Sequence, residues 1–563
     1  MVIIWLGSII ISLNAKIINI QIQTDDGVNA TIQGQTCCSP YARGYWFRGI
    51  RYTQPPIGLL RFSYARRKDP EGLIDAMNYG PKCSQSNFTN EDCLFINIFT
   101  PLLDLEIKSE DPRMLLPVLF YIHGTFLLLI KNLSILWGGW QTGSGEFSPA
   151  IFGNLIERGP LIMVSINYRL GPFGFFTSKD DTIPGNYAIS DMTEALQWTK
   201  RYIKFFGGDP NRITICGQSS GAESVSTLTL SPITRGLFNQ AILQSGSAFG
   251  GGVSQCGYRN SSLQLAIMLG CATEGQWDSG KNFDQTLQCM RSATATELQN
   301  AGMHLPYSHF MQWGTVIDKV YLPDTVENLA MKRPPLSVMG GVTAGEWLLF
   351  EQKHIRDHLK SDTYTRQGII HRLRDLYEMK CWNNYDAILQ RTISHYIDSQ
   401  KSPDDDHIVM AGVWIKLMSD LDFTAAVLRD LKYFATTGST AYLYSFDYLS
   451  PLAWSWLNVT ELRLAPHSSD KSYLYEEGCK GYRCQDEDIA LRDIIQRCWV
   501  NFVLTGNPTP ISSGLPFVWP KLDSSNQYVS VMPSPEVKSN FYPSTNFFMC
   551  QAPAIDGNKP PFC

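Results

Sequence analysis

The residues best suited to chemistry in this chain lie at 217–221. There Gly217-Gln218-Ser219-Ser220-Gly221 follows the short apolar run 213–216 (ITIC) and leads into a helical stretch, 221–229 (GAESVSTLT). A strand, G-x-S-x-G and a helix in that order form a nucleophile elbow. Small residues two positions either side of the serine let strand and helix approach closely, and the sharp turn between them exposes the Ser219 hydroxyl for attack. The N-terminus of the following helix favours the negative charge that develops. A serine used in this way needs a base within hydrogen-bond reach and an acid that holds the base in one tautomer. Behind such an elbow the chain order is Ser, then Asp or Glu, then His, so both partners are sought C-terminal to Ser219.

The elements that would position these groups are legible as alternation. Apolar, β-rich runs at 116–122 (LPVLFYI), 161–167 (LIMVSIN), 213–216, 240–244 (QAILQ), 336–342 (LSVMGGV) and 440–446 (TAYLYSF) alternate with helical stretches, among them 190–205, 221–229 and 486–504. That pattern predicts an α/β fold with a large, mainly parallel central sheet flanked by helices. Reactive groups are then expected on loops beyond the carboxyl ends of the strands. No internal repeat or low-complexity linker divides the chain, so 16–563 reads as a single domain carrying long loop insertions. Of the histidines beyond residue 346, namely His354, His358, His371, His395, His407 and His467, only His467 falls between an apolar strand (440–446) and the last long helix (486–504). It is the candidate base. His354 and His358 stand at i, i+4 without a carboxylate at useful spacing and read as a solvated helix face, so no metal and no cofactor is expected.

The chain resembles the type-B carboxylesterase and cholinesterase family of the α/β-hydrolase fold, over roughly residues 25 to 535, and lies closer to its carboxylesterases. The resemblance is carried by Phe47-Arg48-Gly49-Ile50-Arg51-Tyr52 with Pro55-Pro56 and Leu60-Arg61-Phe62, and by Glu91-Asp92-Cys93-Leu94-Phe95-Ile96-Asn97-Ile98. Asn167-Tyr168-Arg169, Gly185-Asn186, Asp191 and Phe206-Gly207-Gly208-Asp209-Pro210 follow in family order. What it implies is a Ser219–Glu346–His467 triad. Glu346 falls where the family places its acid, and His467-Ser468-Ser469-Asp470 is similar to its H-x-x-E/D pattern. It further implies buried ion pairs Arg61–Glu91 and Arg169–Asp191, and disulfides Cys83–Cys93 and Cys271–Cys289, with Cys381–Cys498 a plausible third. Cys37, Cys38, Cys256, Cys479, Cys484, Cys550 and Cys563 are left without assigned partners, and Cys216 reads as a free buried thiol.

The family's oxyanion hole comes from an H-G-G-G-aromatic loop together with the amide after the nucleophile, which implies Gly138, Gly139 and Ser220 here. This chain departs from the pattern, reading His123-Gly124, then TFLLLIKNLSILW (125–137), then Gly138-Gly139-Trp140. Excising 125–137 restores HGGGW. The segment is read as an insertion, and its composition favours a retained intron over a hydrophobic lid. Cys83 and Cys93 enclose only SQSNFTNED, with no Trp to bind a quaternary ammonium, and Gln218 stands where the family usually has Glu. Both departures point to neutral carboxylic esters. The alternatives are a choline ester hydrolase and a catalytically weak, neuroligin-like binding ectodomain; retention of Ser219, Glu346 and His467 together argues against the last.

Composition agrees with a globular chain in an oxidising compartment. The 563 residues are 44% hydrophobic and 18% charged. A net charge of -5 and an isoelectric point near 6.0 leave no basic footprint for nucleic acid. The opening MVIIWLGSIIISLNA reads as a signal peptide over 1–15. Fourteen cysteines and sequons at Asn29, Asn87, Asn132, Asn260 and Asn458 suit a secreted, glycosylated protein. No later apolar run reaches the length of a bilayer span, so a transmembrane anchor is not expected. The only partner implied is a small-molecule ester substrate.

Overall fold

The computed structural model describes residues 17–36, 44–86, 88–101, 114–124, 139–147, 149–178, 180–253, 257–305, 312–359, 362–380, 382–400, 403, 406–450, 459–475 and 485–563. The expected signal peptide (1–15), the segment 125–137 with Gly138, the sequons Asn87, Asn132 and Asn458, and Cys37, Cys38, Cys256, Cys381, Cys479 and Cys484 all lie outside them. Asn29 and Asn260 are exposed.

The strands are β1 (Ile17–Gln23), β2 (Asn29–Thr36), β3 (Gly44–Arg51), β4 (Gly72–Asp75), β5 (Phe95–Pro101), β6 (Leu116–Ile122) and β7 (Ile162–Ile166). They continue as β8 (Gly208–Gln218), β9 (Gln240–Gln244), β10 (Ser337–Thr343), β11 (Thr440–Phe446), β12 (Tyr528–Val531) and β13 (Glu536–Lys538). Among the described residues they form one 13-stranded sheet in the order β1-β2-β3-β5-β7-β6-β8-β9-β10-β11-β12-β13, with β4 beside β2. From β7 across to β12 every neighbouring pair is parallel. The antiparallel pairs gather at the two ends. This is a large α/β sheet with a parallel centre.

The parallel centre is buried on both faces, as strands covered by helices must be. Every residue of β7 is buried, and so is all of β6 beyond Leu116. Edge strand β1 instead alternates, with Ile20 and Ile22 inward and Asn19, Gln21 and Gln23 outward. The helix Asp486–Thr505 shows how the sequence sets its own limits. Asp486, Glu487 and Asp488 fill its first turn, where the helix dipole favours negative charge, and Gly506 ends it at φ 74.

Two buried ion pairs tie loops to this frame. Arg169, after β7, holds Asp191 on the helix Tyr187–Tyr202 through Nε and one terminal nitrogen, at 2.8 and 2.7 Å. Arg61 does the same to Glu91 inside the Cys83–Cys93 loop, and also donates to the carbonyl of Arg291 at 3.0 Å. Removing one partner of such a pair would leave a buried charge uncompensated, so each fixes where its loop sits. Cys83–Cys93 and Cys271–Cys289 are disulfide-bonded. Cys550 and Cys563 pair with each other. Cys498 is a free buried thiol among the aromatic and aliphatic side chains between the helix Asp486–Thr505 and the sheet, which corrects the expected Cys381–Cys498 bond. Cys216 is likewise free and buried, and burial pushes its thiol up to about 12.

Candidate active site

Strand β8 runs into the helix Ser220–Leu230 through Ser219 alone, which takes φ 59 and ψ −130. Few residues other than glycine adopt such a backbone, and it persists only where the surroundings over-determine it. Here they do. Ser219 N–H donates to Gln244 O at 2.8 Å, and Ser219 O accepts from the amides of Ala222 and Glu223 at 2.8 and 3.0 Å. The glycines explain why nothing larger fits. A Cβ on Gly217 would lie 2.3 Å from the backbone of Gly221. One on Gly221 would lie 2.3 Å from Ile122 O, and one on Gly124 only 2.0 Å from Gln218 O. Strand, turn, helix and the end of β6 touch backbone to backbone.

Glu346 and His467 come from the loops after β10 and β11, and the two loops are tied together. Gly345 pairs with Pro466 as an isolated parallel bridge, and Gly345 N–H donates to Ala465 O at 2.8 Å. Glu346 is fully buried. One of its carboxylate oxygens accepts from Thr343 N–H at 2.7 Å and the other holds His467 Nδ1. The imidazole packs tilted against the stacked pair Phe350 and Phe423, with ring centroids 5.3 and 4.8 Å away. A carboxylate only accepts, so the neutral ring carries its proton on Nδ1 and leaves Nε2 as an acceptor, the tautomer a general base requires.

The structure therefore gathers Ser219, Glu346 and His467 at the carboxyl ends of the parallel strands, with one difference from the expected geometry. His467 Nε2 faces Gln218 Nε2 at 3.1 Å, and Gln218 Nε2 also donates to Ser468 Oγ at 2.7 Å. Ser219 Oγ makes no hydrogen bond among the described residues. The Nε2 nitrogen that would take the hydroxyl's proton faces the carboxamide instead. In unliganded sites nucleophile–base contacts are often long and tighten when substrate binds. In the sequence Gln218 stands out for its missing charge; its place immediately before the nucleophile is the signal that its side chain can reach the base.

Beneath the ring lies a buried polar layer. Asp470 accepts from Gln244 at 3.0 Å and from Tyr444 at 3.3 Å, and Tyr475 donates to Gln244 at 2.8 Å. Burial pushes the Asp470 carboxyl up, aided by the nearby Glu346 charge. His354, expected on a solvated face, is half-buried with its ring edge-on to Tyr364. Among the described residues no group of three or more His, Cys, Asp and Glu gathers as a metal site would need.

Of the residues read as oxyanion donors, Ser220 opens the elbow helix and Gly139 takes φ 58, whereas Gly138 lies outside the described residues. The chain leaves β6 through His123 and Gly124, the latter pressed against Gln218 and Gly221. It is again described at Gly139 and Trp140, and Trp140 Nε1 donates to Ser224 Oγ at 2.8 Å. Gly221 and Ser224 are one turn apart on the same helix, so both ends of the interrupted loop rest against the start of the elbow helix. His123 stacks on Tyr168 at 4.2 Å, and burial pushes its pKa down to about 3, which keeps the ring neutral.

A family profile described as "Carboxylesterase family" matches residues 18–548. The chain belongs to the carboxylesterase family. It is similar to gut esterase 1 of Caenorhabditis briggsae, 29% identical over 496 residues that cover 83% of this chain and 82% of the relative. Carboxylesterase 3B of Mus musculus is 29% identical over 520 residues, 86% and 82% of the two chains. Acetylcholinesterase-1 of Trittame loki is 28% identical over 484 residues, 82% of each. Among the described residues no helix of this carboxylesterase-family chain is long and apolar enough to cross a membrane.

Proposed function

We infer that this carboxylic ester hydrolase is a secreted serine esterase acting on neutral esters through an acyl-enzyme intermediate. The observation that carries the reading is the Glu346–His467 pair aimed at the elbow that presents Ser219. Ser219 Oγ adds to the ester carbonyl carbon while its proton passes to His467 Nε2. The Ser220 amide and the Gly138–Gly139 amides stabilise the oxyanion, and Glu346 holds the Nδ1 proton of the imidazolium. Collapse of the tetrahedral adduct returns the proton to the leaving alcohol. Water then repeats the sequence on the acyl-Ser219 ester and releases the carboxylic acid.

Support for neutral substrates comes from Gln218 in place of a carboxylate beside the base and from the short Cys83–Cys93 loop without a Trp. Support for secretion comes from the apolar opening 1–15, the exposed sequons Asn29 and Asn260, and disulfides of the kind that persist in oxidising compartments. The test is covalent labelling by a fluorophosphonate probe with hydrolysis of a short-chain aryl ester measured alongside. Wild type is expected to label and turn over, and Ser219→Ala to do neither while unfolding at the same temperature. Near-wild-type turnover by Ser219→Ala, or a folded wild type that binds no probe, would reject the serine mechanism.

A further inference from the structure

The Gln218 side chain is buried and committed at one end only. Nε2 meets His467 Nε2 and Ser468 Oγ, while Oε1 is buried without a hydrogen-bond partner among the described residues. The direction in which the carboxamide faces follows from its neighbours. Glu346 fixes the ring proton on Nδ1, so Nε2 offers a lone pair, and a lone pair needs a donor. The NH₂ end therefore faces the ring. The Ser219 hydroxyl needs that same lone pair.

We propose that Gln218 is a positioning residue for the base: its carboxamide holds His467 in the Nδ1-protonated form and competes with Ser219 for the Nε2 lone pair, so that nucleophile and base engage only as the carboxamide turns away. The inference rests on the serine-esterase reading. As Oγ bonds to the carbonyl carbon, its proton moves to Nε2, and the ring then carries an N–H at both nitrogens. It can no longer accept from the amide. Gln218 Oε1, unpartnered at rest, becomes the atom suited to accept from the new N–H once the side chain has rotated. A glutamate at 218 could only accept, and its charge would favour the imidazolium from the outset. The other charged groups around the ring are Glu346, on the loop after β10, and Asp470, on the helix Ser469–Leu474, with Tyr444 of β11 beyond Asp470. Phe350 and Phe423, stacked on each other at 6.0 Å, pack tilted against it.

The experiment compares the full chain with Gln218→Glu and Gln218→Ala, measuring kcat/KM against pH on a neutral aryl ester and the rate of fluorophosphonate labelling. In Gln218→Glu the acidic limb of the profile is expected to move up by one pH unit or more. Gln218→Ala removes the competing donor and is expected to label about three- to tenfold faster than wild type at the pH plateau. Ser468→Gly removes the second acceptor of the carboxamide at a position whose φ of 69 suits glycine, and should accelerate labelling in the same direction but by less. A Gln218→Glu profile superposable on wild type, or a folded Gln218→Ala that labels no faster, overturns the proposal and leaves the esterase reading standing. A wild type that does not label overturns both.

Discussion

Replacing Glu346 by Gln changes one atom and should disable the base by moving a proton. Thr343 N–H donates to one oxygen of Glu346 at 2.7 Å, and that backbone donor remains in the variant. The glutamine must therefore turn its carbonyl oxygen to Thr343, which leaves its NH₂ facing His467 Nδ1. Facing a donor, Nδ1 becomes the acceptor and the ring proton shifts to Nε2, so the nitrogen directed at the elbow can no longer take the Ser219 proton. The fixed carboxylate that would have stabilised the imidazolium is lost at the same time. An enforced wrong tautomer of this kind lowers kcat by about 10⁴-fold, or about 5 kcal/mol of barrier. The fold should survive, because Glu346 is fully buried and the amide has nearly the same shape with no charge to desolvate. Turnover of a neutral aryl ester and fluorophosphonate labelling are measured side by side with thermal unfolding. Both rates should fall by three orders of magnitude or more at an unchanged melting temperature. Turnover within tenfold of wild type would refute the argument, since it would mean that the buried carboxylate does not set the protonation of His467.

Deleting 125–137 is expected to raise activity on a neutral ester at least tenfold, because an oxyanion amide displaced by a long apolar insert costs roughly 3–4 kcal/mol, and transcripts should mostly lack the segment. Full activity in the undeleted protein, together with transcripts that retain it, would establish a lid. The wild-type enzyme should prefer a neutral ester over a choline ester by about tenfold or more, with weak inhibition by quaternary ammonium ligands; tight binding of such a ligand would show that another aromatic supplies the cation–π contact. His123 gives a pH dependence of stability: its folded pKa of about 3 lies below the ordinary 6.5, so between those values the unfolded chain binds the extra proton and stability falls as pH drops below 6.5. The slope is about 1.4 kcal/mol per pH unit, and His123→Asn should flatten a denaturant-melt profile between about pH 6.5 and 4.5; an unchanged slope would reject a buried neutral ring.

The catalytic candidates were legible because their constraints are local. Gly217 and Gly221 flank a serine that must sit in a strained turn, and a glycine is the only residue whose backbone can press against Ile122 O and Gly221 as closely as this packing demands. The strands β6, β9 and β11 were legible as continuous apolar runs because a parallel strand covered on both faces has no polar side to interrupt it. Strands β1 and β2 escaped because buried and more exposed residues alternate along them, and β4 and β13 because they are short and almost wholly exposed; such segments resemble loops in a single sequence.

The sequence by itself determined that a serine elbow precedes a helix, that a glutamate and a histidine follow in the order the elbow requires, and that a parallel sheet carries all three. It left Cys381–Cys498 plausible on family spacing, whereas Cys498 is a free thiol in the core, since a bond depends on where two side chains point and not on how far apart they lie in the chain. Only the tertiary structure decided that Gln218, not Ser219, holds the histidine at rest. Residues 218 and 467 are 249 positions apart, and which of two adjacent side chains reaches a nitrogen 3 Å away is fixed by the angle at which β8 enters the elbow and by the loop that brings His467 over it.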